Sequence, residues 1–335
     1  MRKLLIIIVV VLQVLLLVFM AGQRECVLRN GRTVYLRTVP VDPRDLFRGD
    51  YVRLRYEISN IEREKMQDGL KSLTVSDGYR DKNKDKKVYA VLEIDEDNVA
   101  DIAYVTDKKP EKGKLFIRGR VERLGNCLFV RYGIEAYFTQ QGAGKDLEKR
   151  NVNGNRASLE MQIALGSDGT AVIKGHRWAP ISINLTDLKV EKNMPQSAKI
   201  VLTNISEKPV AIVVLPNNGS LKVEPDEPRW WWSGGQEHKN WRWVNENTSA
   251  ALPEDKDVRR LDPDCSYEMA VDFGDPYWLI SVNNQEPVAM NKYGFSGAQF
   301  RIVYQPPSRQ QCKGLKDADL IWHGKISSQT IPNLD

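Results

Sequence analysis

The chain has 335 residues, of which 41 % are hydrophobic and 28 % are charged, and its net charge at pH 7 is +5. A chain of this length and apolar content folds rather than remaining disordered, and it has room for two domains of ordinary size. The mild basic surplus is spread along the sequence without a recognition motif, so nucleic acid is not expected as a partner.

The N-terminus predicts a transmembrane anchor at residues 1–22. Arg2 and Lys3 precede the apolar run LLIIIVVVLQVLLLVFM, in which Gln13 is the one polar residue. As a helix, residues 4–22 would measure about 28 Å, close to one hydrocarbon thickness. Positive residues at the start favour a cytoplasmic N-terminus. We therefore expect a single-pass protein of the inner (cytoplasmic) membrane with most of the chain extracytoplasmic, in the periplasm.

A cleaved signal peptide is the alternative reading of the same segment. Cleavage needs small residues at positions −3 and −1. Cutting after Ala21 would place Phe19 at −3, and cutting after Gly22 would place Met20 there. Neither residue is small, so the sequence favours an uncleaved signal anchor.

Residues 27–178 predict a first, β-rich domain. Apolar residues alternate with polar ones in RTVYLRTV, KVYAVLEI, VADIAYV, KLFIRGRVERL, CLFVRYGI, LEMQIAL and TAVIKG. Such a period of two is typical of half-buried strands. Helical patterns are scarce, and the better of two candidates is NIEREKMQDGLKSL at residues 60–73.

The stretch RDLFRGDYVRLRYEI at residues 44–58 predicts a turn followed by a strand. Gly permits positive φ and Asp can accept backbone N–H groups, so Gly49 and Asp50 form the turn. Tyr51, Arg53 and Arg55 then alternate with Leu54 and Tyr56 on the opposite face. The arginines either bind an anion or a lipid headgroup, or pair with neighbouring carboxylates.

Four carboxylates near this strand are candidates for acid–base chemistry. They are Asp42, Asp45, Asp50 and Glu135, and Tyr137 follows the last of them. Paired acids can act as general acid and base. The simpler interpretation is that the aspartates cap turns and that Glu135 pairs with an arginine.

Residues 180–335 predict a second domain of about seven strands whose spacing suits an immunoglobulin-like β-sandwich. A Trp-rich loop at residues 224–247 interrupts it. This loop contains Trp230, Trp231, Trp232, Trp241 and Trp243. Aromatic faces beside hydrogen-bonding groups can bind a glycan or a peptide, or enter the membrane interface, and the alternative is a loop that covers its own domain.

The sequence predicts no cofactor and no metal site. Its three histidines are far apart, and neither a phosphate-binding glycine loop nor a nucleophile elbow occurs. Four cysteines allow three disulfide connectivities. Cys265 and Cys312 fall in one domain and are the best candidates for a pair, while unpaired thiols are an equal alternative.

Residues 49–56 match every fixed position of the motif GDYxxLxY, and the blocks VPVDPRDLFR and RYGIEAYFTQQGAGKDLE flank it in order. The chain therefore resembles the GDYXXLXY family of bacterial membrane-anchored proteins. The resemblance covers residues 27–175 and implies one N-terminal span followed by an extracytoplasmic domain. Its members are often encoded beside multi-span membrane proteins, which implies such a partner, but the family carries no established activity.

The sequence as a whole predicts an all-β protein with one N-terminal transmembrane helix. We expect a non-enzymatic accessory to a multi-span membrane protein, with ligand binding by the Trp-rich loop. The alternatives are an envelope hydrolase that uses the carboxylates around the GDY turn and a glycan-binding module.

Overall fold

The computed structural model describes residues 2–39, 51–73, 83–95, 97–124, 127–138, 156–192, 194–226, 241–244, 252–282, 285–292, 299–329 and 331. The chain divides into two compact units. The first comprises Met1–Asp146 and Leu159–Trp178, and the second comprises Leu147–Ser158 and Ala179–Asp335. Apart from one N-terminal α-helix, the described residues form β-strands and short 3₁₀ turns, which confirms the predicted all-β class.

Helix α1 extends over Arg2–Asn30 and is longer than the predicted anchor. Within its segment Ile6–Asn30, an 18-residue window has a mean hydropathy of 2.7 and is fully exposed, so the helix is long and apolar enough to cross a membrane. The additional turns are polar, and Arg29 pairs with Glu25 at 2.6 Å across one turn. This i, i+4 spacing supports a helix beyond the apolar run. Strand β1 begins only one residue after the helix ends.

Gly31 is that single connecting residue. Its N–H donates to the carbonyl of Val27 at 2.8 Å, which closes the last helical turn. A Cβ at this position would collide with the same carbonyl and would lie 3.0 Å from the carbonyl oxygen of Leu165. Glycine is therefore required here by the close approach of two backbones.

The first unit contains β1 to β9, most of β10 and the first part of β11. The strand bounds are β1 Arg32–Val39, β2 Tyr51–Arg53, β3 Arg55–Tyr56, β4 Asn60–Ile61, β5 Lys87–Ile94, β6 Ala100–Thr106, β7 Phe116–Leu124, β8 Leu128–Arg131, β9 Ala136–Phe138, β10 Arg156–Leu165 and β11 Ala171–Glu191. Its 3₁₀ turns are Glu57–Ser59, Arg63–Lys65 and Asp68–Leu70.

These strands pair antiparallel in three groups. β1 lies between β10 and β3, β2 pairs with β9, and a five-stranded sheet has the order β4-β8-β7-β5-β6. The alternation predicted from the sequence positions the core. Val34 and Leu36 of β1 are fully buried, as are Ile117 and Val121 of β7.

The helix expected at residues 60–73 is wrong. The segment instead contains β4 and two 3₁₀ turns, and Met66 and Leu70 bury their side chains. Asp68 has a φ of 53°, which an α-helix cannot accommodate. The N–H of Gln67 donates to the carbonyl of Val105 at 2.8 Å, so tertiary hydrogen bonding replaces the helical bond.

A buried ionic cluster lies beside β1 in the first unit. The carboxylate of Glu160, which is 4 % exposed, accepts a 2.6 Å hydrogen bond from Nε of Arg177. The guanidinium of Arg177 also lies 3.6 Å from the centre of the Tyr35 ring. Arg37, opposite Glu160 in the strand register, is 9 % exposed, and its Nε has no hydrogen-bond partner. Its nearest ion-pair partner is Glu57, at 3.7 Å.

The second unit contains the rest of β11 and ten further strands. They are β12 Met194–Asn204, β13 Val210–Val213, β14 Leu221–Asp226, β15 Trp241–Trp243, β16 Val258–Leu261, β17 Ser266–Asp272, β18 Leu279–Val282, β19 Val288–Ala289, β20 Gln299–Tyr304 and β21 Ile326–Ser327. Its 3₁₀ turns are Pro216–Asn218, Asp255–Asp257, Met290–Lys292 and Ala318–Leu320.

The strands of this unit pack around a large buried cluster that includes Phe273, Trp278 and Phe300, and Ala211, Val213, Leu215, Cys312 and Ile321 form a second, smaller cluster. β12 pairs with β11 and β17, β13 with β16, β14 with β20, and β18 with β15 and β19. Phe273 makes edge-to-face contacts with Trp278 and Phe300, at centroid distances of 5.7 and 5.9 Å. These are favourable aromatic geometries within a buried cluster. The immunoglobulin-like arrangement of the sheets stays a prediction.

None of the four cysteines forms a disulfide bond. Cys265 is exposed, whereas Cys312 is buried with Ala211, Val213 and Leu215, and burial raises the pKa of its thiol. Of the two alternatives that the sequence left open, the structure therefore has thiols and not a disulfide bond between Cys265 and Cys312.

Candidate functional site

The part of the GDY motif that the structure describes begins in β2, which pairs with β9 in the first unit. Tyr51 lies opposite Phe138, and Arg53 lies opposite Ala136. Just beyond β2, the N–H of Leu54 donates to the carbonyl of Glu135 at 2.7 Å. Two sequence blocks separated by about eighty residues are thus brought side by side. Gly49 and Asp50 lie outside the described residues, and Tyr51 and Arg53 are described only in their backbone.

Leu54 and Tyr56, the last two fixed positions of the motif, belong to the core. Tyr56 is fully buried, and its hydroxyl donates to the carbonyl of Ile134 at 2.8 Å. In return, the hydroxyl of Tyr132 donates to the carbonyl of Ile58 at 2.7 Å. Burial raises the pKa of both tyrosines, and the nearby Glu135 carboxylate adds to the shift. Both phenols therefore stay protonated as hydrogen-bond donors. The role of Leu54 and Tyr56 in the motif is thus structural.

Glu135 uses its carboxylate to hold the turn before β9. One oxygen accepts the N–H of Tyr132, and the other accepts the N–H of Gly133 at 2.9 Å. Gly133 has a φ of 81°, a left-handed conformation that glycine adopts without steric cost. A carboxylate engaged by two backbone donors is a poor candidate for a general base. Asp42 and Asp45, proposed from the sequence as partners for it, lie outside the described residues.

Tyr137, the other candidate on β9, contacts His176 of β11. Its hydroxyl shares a 3.2 Å hydrogen bond with Nδ1 of His176, and the two rings meet edge to face. Partial burial lowers the pKa of His176. The pair joins β9 to the first unit's part of β11.

Arg55 is the motif arginine whose side chain the structure describes. It is exposed, and its guanidinium lies 5.5 Å from the centre of the Phe129 ring. Arg123 lies over the same ring at 4.2 Å. Phe129 thus gathers two cations at one end of the β7–β8 pair through cation–π attraction.

The same sheet carries a row of cations that the sequence analysis did not identify. Lys87 on β5 lies opposite Arg120 on β7, and Arg120 lies opposite Arg131 on β8. Three like charges therefore stand in register across three strands. Like charges directly opposite one another destabilise a sheet, so this row lowers the stability of the fold that carries it. We call Lys87, Arg120 and Arg131 the basic row.

The basic row borders an open cleft of about 560 Å³. The residues that line it are Lys87, Arg118, Gly119, Arg120, Arg131, Tyr132, Gly133 and Glu135. Four of these are cationic and one is acidic. The cleft is therefore a basic surface suited to carboxylates or phosphates.

Only part of this positive charge is neutralised within the described residues. Asp85 pairs with Arg131 at 3.1 Å, and Asp168 pairs with Arg118 at 3.3 Å. All four side chains are between 41 % and 58 % exposed, so each pair contributes at most about 1 kcal/mol. Lys87 has no acidic partner in this part of the chain and lies 5.1 Å from the centre of the Tyr89 ring. These cations remain available to an external anion.

The structure describes two of the five tryptophans that the sequence grouped, Trp241 and Trp243 on β15. Trp243 is 3 % exposed, packs in the core of the second unit, and donates its Nε1–H to the carbonyl of Tyr277 at 3.0 Å. Trp241 precedes it on β15, where only its backbone is described. Trp230, Trp231 and Trp232 lie outside the described residues. Trp243 therefore presents no open face to a ligand.

Metal binding has no support in the described part of the chain. No group of three or more His, Cys, Asp or Glu side chains there could hold an ion.

Together, the fold and this site define a β-rich domain carried on one apolar N-terminal helix, with its sequence motif built into paired strands. Residues 13–175 match the family model described as GDYXXLXY protein, a match that begins within α1 and ends within β11. The family match therefore holds for residues 13–175, just under half of the chain. No curated protein and no solved structure matches the chain.

Proposed function

We propose that this protein is a non-enzymatic accessory subunit of a multi-span membrane protein. In this proposal α1 is an uncleaved anchor in the inner membrane, and both units lie on its periplasmic side. Arg2 and Lys3 at the cytoplasmic end support that orientation. The first unit then contacts the partner at the membrane surface through the basic row.

The observation that carries the proposal is the junction between α1 and β1. Residues 4–22 suffice to cross the hydrocarbon, and the helix continues for eight residues, about 12 Å, to Asn30. Gly31 alone then separates it from a strand of the first unit. A domain joined so closely to its anchor is held next to the bilayer, where the loops of a multi-span protein emerge.

The basic row supplies the chemistry for that contact. Three cations that face one another across paired strands repel and lower the stability of the sheet. Unfavourable arrangements of this kind are expected where the residues serve binding. Complementary charge accelerates association and selects the partner. We therefore expect the partner to present an acidic surface loop, with Arg55 near the edge of the contact.

The two alternative functions have weaker support. A hydrolase would need a second free carboxyl beside Glu135, and the carboxylate of Glu135 is already engaged by two backbone donors. Glycan or peptide binding would need exposed tryptophans, and Trp243 is in the core.

Photo-crosslinking in native membranes tests the proposal. The full chain carries a photoreactive residue at position 55, and its adducts are identified by mass spectrometry. We expect one predominant adduct with a multi-span integral membrane protein. Neutralising the row in a Lys87→Gln, Arg120→Gln, Arg131→Gln variant should lower its yield about tenfold, since steering by complementary charge is lost.

A matched variant controls for total charge. Lys208, Lys313 and Lys316 are three exposed lysines of the second unit, and their replacement by Gln should leave the yield unchanged. Hydrogen exchange should find the first unit of the row variant at least as stable as the original, because repulsion has been removed. An adduct with a soluble protein, or equal yields from both variants, would contradict the proposal.

A further inference from the structure

The loop between β6 and β7 is a lysine-rich segment of the first unit. Residues 107–115 read DKKPEKGKL and contain four lysines against two acidic residues. Lys108 pairs with Asp68 at 3.1 Å. The other three, Lys109, Lys112 and Lys114, are exposed and have no ion pair with the described part of the chain.

This loop lies beside the end of the membrane helix. It lines an open cleft of about 540 Å³ together with Arg32 and Ser167. Arg32 is the first residue of β1, two positions after α1 ends. The turn that carries Ser167 also approaches the helix, since a Cβ at Gly166 would lie 3.1 Å from Cγ2 of Val27. Two independent contacts therefore place the three free lysines at the extracytoplasmic end of α1.

We propose that Lys109, Lys112, Lys114 and Arg32 form a binding site for the phosphate groups of anionic phospholipids in the bilayer that α1 crosses. This inference rests on the membrane anchoring in the proposed function, but it requires no protein partner. The site would set the height and the orientation of the first unit on the membrane, and it is distinct from the basic row.

Distance supports a lipid ligand. The polar layer on each side of a bilayer is about 5–7 Å thick, and α1 extends about 12 Å beyond the hydrocarbon. Lysine side chains can span the remaining distance between the loop and the lipid phosphates. At physiological salt, electrostatic attraction acts over about a further 8 Å. Arg24 and Arg29 on α1 add positive charge along the same path, with Arg29 paired to Glu25.

The arrangement of the lysines is better suited to binding a charged membrane surface than to binding a single free anion. Its cations are exposed lysines on an open loop, which are hydrated point charges on flexible stems. A site for one free phosphate would instead converge buried donors on one position. Several separated lysines match a membrane surface, where many phosphates are present at once.

Lysine acetylation in nanodiscs tests the site. The full chain is inserted into discs of pure phosphatidylcholine or of phosphatidylcholine with 30 % phosphatidylglycerol, and the acetylation rate of each lysine is read by mass spectrometry. We expect Lys109, Lys112 and Lys114 to react about fivefold more slowly in the anionic discs. This factor corresponds to the attraction of one lysine to an anionic membrane surface, about 1 kcal/mol. The protection should disappear at 0.5 M NaCl.

Internal controls separate this site from general adsorption and from free phosphate. Lys208, Lys313 and Lys316 of the second unit should react equally in both discs, and inorganic phosphate added to phosphatidylcholine discs should protect no lysine. Equal rates for the three loop lysines in both discs, equal protection of all six lysines, or protection by phosphate alone would each overturn the inference. A chain that fails to insert would overturn both this inference and the anchoring in the proposed function, whereas insertion without protection overturns only the inference.

Discussion

Replacing Tyr56 by alanine is expected to destabilise the first unit by about 3–5 kcal/mol, the range found for large aromatic side chains removed from a core. Tyr56 is fully buried, and its hydroxyl supports the carbonyl of Ile134. The substitution therefore leaves a cavity and an unsatisfied acceptor together. Hydrogen exchange of the full chain should show amides of β4 and β8 exchanging at least about a hundredfold faster, since 1.4 kcal/mol is a factor of ten.

Tyr56→Phe separates packing from hydrogen bonding. It keeps the ring and removes only the bond to Ile134, so we expect a cost of about 1–2 kcal/mol. Tyr137→Phe is the matched control at a partly exposed site and should change the exchange rates little. Amides of β12 in the second unit report whether the effect is local. If Tyr56→Ala left β4 and β8 as protected as before, the structural role assigned to the motif would be wrong.

The second large effect is expected at Glu160. Replacement by alanine removes the carboxylate that faces Arg37 and Arg177, and it should cost about 3 kcal/mol in the unfolding free energy of the first unit. The main reason is loss of the short ion pair with Arg177 and of the Coulombic attraction to the buried Arg37. Arg177 is 38 % exposed in its side chain and can turn toward water, which places the expected cost at the low end of the range.

Glu160→Gln should change stability by less than about 1 kcal/mol, because burial opposes the ionised form of the carboxyl. The ion pair with Arg177 is short, yet burial outweighs the attraction of Arg177 and Arg37 and raises the pKa of Glu160. A raised pKa means that the folded state holds the proton more tightly than the unfolded chain does. The stability gained is complete below the unfolded value of about 4.3 and is lost as pH rises through the folded pKa.

The pH dependence of unfolding provides the measurement. Comparing the original chain with Glu160→Gln between pH 4 and pH 7 should show the original relatively more stable at the acidic end. A cost for glutamine equal to that for alanine, or a relative loss of stability by the original chain on acidification, would show that the charged pair itself holds this part of the fold.

Local sequence pattern was enough to locate the longer strands of the first unit, but not β4 or β9. The segment KVYAVLEI became β5 with the same bounds, and its residues Val88 to Leu92 are all buried, as expected for a short apolar run rich in strand-forming residues. Leu54 and Tyr56 are buried, so few other side chains fit at these two positions. This restriction makes the motif GDYxxLxY recognisable in the sequence. Buried positions leave a local signal in residue type and spacing.

The basic row left no such signal. Lys87, Arg120 and Arg131 are distant in sequence, and only the pairing register of β5, β7 and β8 aligns them. The long strand β11 runs through the expected boundary between the two domains, because the segment RWAP interrupts the alternation without ending the strand. For Trp243 the sequence left open ligand binding and a loop that covers its own domain, and tertiary packing places its side chain in the core. Contacts across the chain decide such features.

The glycine junction after α1 has a mechanical consequence. One residue supplies only two rotatable backbone angles, and at Gly31 one neighbouring bond is already fixed by the N–H contact to Val27. This connection therefore leaves little freedom for α1 to rotate or shift independently of β1. If α1 crosses a bilayer as proposed, a neighbour that displaces the helix would also move the first unit.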